Sequence, residues 1–86
     1  MRLNTDSITI ANAAHIVAAG QAAMRAGDFT IDFSEVVRCD TSAVACVLDW
    51  LRFAQADGRK IQFIALPKDL LSLAKLYNVE GFIEER

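Results

Sequence analysis

Apolar and polar positions repeat at two different periods along this chain, and the switches between them mark out the elements. Over 7–11, Ile8 and Ile10 alternate with polar neighbours, the period of a short strand. From Asn12 the period lengthens. Ile16, Val17, Gly20, Ala23 and Met24 form one stripe of a helix over 12–26, with Asn12 as its cap and Gly27 placed for a left-handed stop. Phe29, Ile31 and Phe33 alternate again and predict a strand over 29–33. A short polar turn follows, and Asp40-Thr41-Ser42 opens a long apolar helix over 42–56 that ends at Gly58. The stretch 61–66 is almost continuously apolar, as expected of a strand covered on both faces or lying centrally. Pro67 and Asp69 start a third helix over 68–78, with Leu70, Leu73, Ala74, Leu76 and Tyr77 facing the core and Asn78 as its stop. Val79, Phe82 and Ile83 add a last apolar patch.

The order is βαβαβα. Strand–helix–strand units in that order favour parallel pairing and right-handed crossovers. The expectation is one α/β domain over residues 1–86, built on a small sheet.

The second helix carries more apolar surface than a sheet can cover. A helix packed on a sheet needs an apolar arc a little over 100° wide. Val44, Val47, Leu48, Leu51 and Ala54 already supply it. Cys46, Trp50 and Phe53 make a second stripe at i, i+4 and i+7, leaving Ala45, Asp49, Arg52 and Ala56 for the wet side. Two readings stand. Either the second stripe packs under the third helix or the C-terminal patch, or Trp50 and Phe53 stay partly exposed as partner anchors. Trp is enriched at binding hot spots.

Composition narrows the function classes. At 86 residues the chain fits one domain, and an apolar content of 53% is high for a small soluble protein. Such a surplus leaves apolar groups on the surface, which often mark a docking face. A net charge of −2 disfavours nucleic acid, whose binders show a basic stripe; Arg59-Lys60 is the only adjacent basic pair and falls in a turn. Met1 to Asp6 has no apolar core of a signal peptide, and the run Ala43 to Leu48 is far short of the ~20 residues that span a bilayer. A soluble, cytoplasmic protein is expected, with no insertion into a membrane.

Candidate chemistry is sparse. Cys39 and Cys46 with His15, the single histidine, do not make a zinc site, and two cysteines do not make a disulfide framework. Buried, reduced thiols are the expectation. Thr41 and Ser42 have no base at a suggestive spacing, Cys39 has no phosphatase-loop arginine after it, and no Gly-rich phosphate loop is present. No catalytic residue, metal or cofactor is expected. What remains is the triplet Asp40-Thr41-Ser42. These are ordinary helix caps, but here they stand together at a helix N-terminus, where free N–H groups and a partial positive charge favour anions or hydrogen-bonding partners.

The layout from Phe29 through Asp32-Phe33-Ser34, the fixed-length turn, Asp40-Thr41-Ser42 and the long apolar helix resembles the STAS domain (sulfate transporter and anti-sigma factor antagonist). In that family an Asp-Ser/Thr-Ser/Thr-Gly-type turn starts the helix that partners read. The resemblance implies a small mixed β-sheet with packed α-helices. Leu73-Ala74-Lys75-Leu76-Tyr77-Asn78, and the passage of Ser7–Ala13 directly into the first helix, are similar to the small STAS subunits of Mla-type phospholipid-transport ABC systems. Those subunits are cytoplasmic, reach the inner membrane through their partner, and bind the transporter's ATPase subunit within the ATPase–permease complex. The transporter maintains outer-membrane lipid asymmetry.

By position, Thr41 matches the residue at which such subunits meet the ATPase. Ser42 matches the serine that kinases phosphorylate in anti-sigma factor antagonists. The resemblance therefore implies a partner-binding site at Asp40, Thr41, Ser42 and the exposed side of the second helix, with Trp50 as a candidate anchor. The alternative is a regulator phosphorylated at Ser42 by an anti-sigma factor kinase. Two features depart from the pattern: Ala43 stands where many members have Gly, and the N-terminus lacks one strand of the longest members.

Overall fold

The computed structural model describes residues 1–77. The Asn78 stop and the Val79, Phe82 and Ile83 patch lie outside them. The described chain runs β1 (Ser7–Ile8), α1 (Ala13–Arg25), β2 (Thr30–Asp32), β3 (Arg38–Cys39), α2 (Thr41–Ala56), β4 (Gln62–Ile64) and α3 (Lys68–Leu76). This is the expected α/β architecture with one strand more than the alternation announced. β3 escaped because it is two residues long, one of them an exposed arginine, and no period shows over two positions.

All ladders among the described residues are parallel. β1 pairs with β3, Ser7 opposite Arg38 and Ile8 opposite Cys39. β2 pairs with β4, Thr30 opposite Gln62 through Asp32 opposite Ile64. The N-terminal residues take the other edge of β2: Leu3 N–H donates to Asp32 O at 2.9 Å, and Asp32 N–H to Met1 O at 2.8 Å. The terminal amine is held by the Asp28 carboxylate at 2.6 Å.

Both long helices end as their glycines require. Gly27 has φ +96° and Gly58 φ +66°, the left-handed region where only glycine is free of Cβ strain. At each, the next residue's N–H reaches back five positions: Asp28 to Ala23 O and Arg59 to Ala54 O, both 2.9 Å.

Two elements differ from their expected form. β1 stops at Ile8 because side chains divert the backbone. Asn12 Oδ1 accepts from Thr9 N–H at 2.9 Å, and Thr9 Oγ1 from Ala11 N–H at 3.2 Å. Asn12 therefore closes a turn instead of capping α1, and Ile10 is left 85% exposed. β4 is not covered on both faces. It hydrogen-bonds only β2 among the described residues, so Phe63 points inward while Gln62 and Ile64 face out.

The core lies between the strands and the helices. Phe33 meets the Trp50 ring edge-on at 6.2 Å and tilts against Phe63 at 6.1 Å. Ile8, Ile31, Val47 and Leu70 fill the space around them. α1 and α2 approach closely where Gly20 faces the Trp50 indole; a Cβ on Gly20 would lie 2.3 Å from Nε1.

Candidate functional site: the head of α2

β3 delivers the chain to Asp40 in extended conformation, φ −105° and ψ −171°, and the helix begins at the next residue. Asp40 Oδ1 accepts from Ser42 N–H at 2.8 Å, the side-chain bond of an N-cap. Oδ2 accepts from Ile10 N–H at 3.2 Å, and Asp40 N–H donates to Ile8 O at 3.1 Å. One carboxylate thus ties the turn after β1 to the start of α2. The Ser42 N–H is the chief cause that holds this carboxyl below its ordinary value, with the Ser42 hydroxyl and Ile10 N–H adding to it and partial burial opposing. Asp40 is therefore ionised at neutral pH.

Thr41, the first residue of the helix, is exposed and makes no capping bond, while Ser42 is half-buried. Thr41 opens an apolar groove of about 300 Å³ with Val44, Ala45, Leu48 and Tyr77. Ala45 faces solvent and Leu48 is half-buried. Tyr77 is 53% exposed, and Ile10 stands on the other side of Asp40. The head of α2 is thus an apolar patch beside three oxygen-bearing side chains.

The structure brings Asp40, Thr41 and Ser42 together and separates Trp50 from them. Trp50 is fully buried, its Nε1–H donating to Val17 O at 3.1 Å. The anchor reading of Trp50 is thereby corrected. The indole lies under α1, in the gap that Gly20 leaves open, and no face of it reaches solvent. Phe53 is half-buried, with the Arg25 guanidinium 5.4 Å from its ring. The apolar groups that line the groove with Thr41 and reach solvent are Ala45, Leu48 and Tyr77, while Ile10, 85% exposed, is tied to Asp40 through its N–H. The apolar periods of the sequence predict Leu48 and Tyr77 in the core and Ile10 in a strand. The one available signal was Gly20: a glycine inside an apolar helix marks a close neighbour, here the second helix's largest side chain.

The residues weighed for chemistry are dispersed. His15 lies on α1, lining a separate cleft with Met1 to Thr5. Cys39 is half-buried and Cys46 buried, both free thiols. Burial first, then the Asp69 and Asp40 charges, push Cys39 up to about 11, so it stays protonated at neutral pH. Burial likewise pushes Cys46 to about 11, and its Sγ donates to Ala13 O at 3.7 Å. Among the described residues no three of His, Cys, Asp and Glu cluster to hold a metal ion. No helix among them is long and apolar enough to cross a membrane.

What the head of α2 offers is a surface: an ionised cap, two hydroxyls and an open apolar groove on a small parallel α/β frame. The chain matches the family described as "Mlab, STAS domain" over residues 3–84, nearly its whole length, and it belongs to that MlaB-like STAS family. The family is generally non-enzymatic. No curated protein matches the chain.

Proposed function

We propose that this chain is a cytoplasmic STAS subunit that docks, through the head of α2, onto the ATPase of a phospholipid-transport ABC transporter. In this role it carries no reaction. It supports the ATPase within the ATPase–permease complex that maintains outer-membrane lipid asymmetry, and it reaches the inner membrane only through that partner. The observation that carries the reading is exposed Thr41 at the mouth of the apolar groove, in a member of the MlaB-like family. An apolar centre with a polar rim is the anatomy of a protein interface.

The phosphorylation-switched alternative fares worse at Ser42. The Ser42 N–H, which would otherwise receive a phosphate, is already bonded to Asp40, and the Asp40 charge beside it repels a dianion. Affinity purification from the native cell, with mass spectrometry of what comes along, tests the two readings together. An ABC ATPase and its permease support the first. A histidine-kinase-like anti-sigma factor, with one added phosphate on Ser42, replaces it with the second.

A further inference from the structure

The groove does not stop at Leu48. Thr41, Ala45, Leu48 and Arg52 stand at i, i+4, i+7 and i+11 of α2, one narrow stripe of a 3.6-residue helix. Thr41, Ala45 and Arg52 are exposed and Leu48 is half-buried, so the whole stripe is open to solvent. Its two ends carry opposite charge. Asp40 stands at the head, and Asp69 of α3 is close enough to the same end for both charges to act on the Cys39 thiol. Arg52 stands at the other end, about 16 Å along the axis at 1.5 Å per residue.

None of these charges has an ion-pair partner among the described residues. The two pairs found there, Met1 amine with Asp28 and Arg2 with Glu35, lie elsewhere. Asp40 is half-buried and bonded to backbone N–H groups, yet its negative charge is not neutralised by a cation among the described residues, and Arg52 is exposed. Opposite charges at the two ends of an apolar strip are a directional pattern, because a partner laid along it backwards meets like charge at both ends.

Building on the ATPase-docking reading, we infer that the α2 stripe from Asp40 to Arg52 binds one amphipathic segment of the partner in a fixed direction. That segment has a Lys or Arg at the Asp40 end, apolar side chains over Ala45, Leu48 and Tyr77, and an Asp or Glu at the Arg52 end.

The test uses the full chain and the purified ATPase subunit in titration calorimetry, at low and at raised salt. Arg52→Glu is the reporter, because Arg52 is exposed and its replacement leaves the melting temperature within a degree or two. Lys60→Glu, an equal change of net charge in the turn beyond α2, is the control. The inference expects Arg52→Glu to weaken binding about tenfold or more and to change its salt dependence, with Lys60→Glu close to wild type. Equal affinity of Arg52→Glu and wild type overturns the inference and leaves the docking reading standing. Equal weakening by both variants also overturns it, since net charge then explains the effect. A wild-type chain that does not bind the ATPase overturns the docking reading and, with it, the inference.

Discussion

Gly20→Ala should destabilise this domain although alanine is the better helix former. Gly20 lies inside α1, where replacing glycine by alanine alone gains about 1 kcal/mol of helix propensity. Against that stands the Trp50 indole. The new Cβ would come within 2.3 Å of Nε1, 2.6 Å of Cε2 and 2.9 Å of Cζ2, all three on a rigid ring. The ring has nowhere to swing: Nε1–H is bonded to Val17 O, and Phe33 meets its edge. Overpacking of this kind costs about 1–3 kcal/mol, and displacing the indole from its hydrogen bond strands a buried donor for about 1–3 kcal/mol more. The net expectation is a loss of about 1–5 kcal/mol after the propensity gain. That is a large share of the ~4–13 kcal/mol expected of a domain this size.

Urea unfolding followed by far-ultraviolet circular dichroism measures it, read as a drop in midpoint at unchanged m. The same substitution in a Trp50→Leu background checks the cause. With no side-chain atom beyond Cδ and no N–H, alanine at 20 finds room, and Gly20→Ala should become neutral or stabilising by up to about 1 kcal/mol. A Gly20→Ala protein with a higher midpoint than wild type would refute the packing of Trp50 under α1.

Two further outcomes follow from the ionisable groups. Asp28, Asp32 and Asp40 all have carboxyls held below the ordinary 3.8, Asp28 chiefly by the terminal amine, Asp32 and Asp40 by the N–H groups of Ser34 and Ser42. A carboxyl depressed by folding contributes stability above its unfolded value and loses it as the pH falls through the folded one. Melting temperature should therefore hold from neutral pH to about 5 and decline below about 4; a flat profile from pH 5 to 2 would contradict these bonds. Cys39, raised to about 11, should alkylate with iodoacetamide far more slowly at pH 7.5 than a free peptide thiol, with the rate climbing as the pH approaches 11. A rate at pH 7.5 equal to the peptide's would show that the thiol is not half-buried beside Asp69 and Asp40.

The fold was legible where local chemistry decides. Gly27 and Gly58 announced the two helix ends, because a left-handed residue there leaves little other choice. The 3.6-residue period placed α1, α2 and α3 within a residue or two of their observed bounds where those fall among the described residues. β3 and the early end of β1 were not legible. The first is too short for a period, and the second depends on Asn12 bonding Thr9 instead of its own helix. Asp40 as cap was legible, since Asp before an apolar helix has one usual task.

The composition of the surface beside it was not. Periodicity shows that α2 has two apolar stripes but not which one a neighbour covers. That choice is made by Gly20 on another helix, which admits Trp50 to the core and leaves Leu48 to line the groove with Tyr77.

The account stands most directly on Thr41, and one titration tests it. Thr41 is exposed and takes no part in capping, so Thr41→Lys should change stability by no more than about 0.5 kcal/mol and keep the wild-type melting curve. At the mouth of the groove it sets a charged side chain where an interface centre would exclude water, a loss of at least about 2 kcal/mol, or roughly 30-fold in Kd. Calorimetric titration of wild type and Thr41→Lys into the purified transporter ATPase should give measurable binding for the first and none, or at least that weakening, for the second. A folded Thr41→Lys protein that binds the ATPase at wild-type strength would contradict the placement of the docking site at the head of α2.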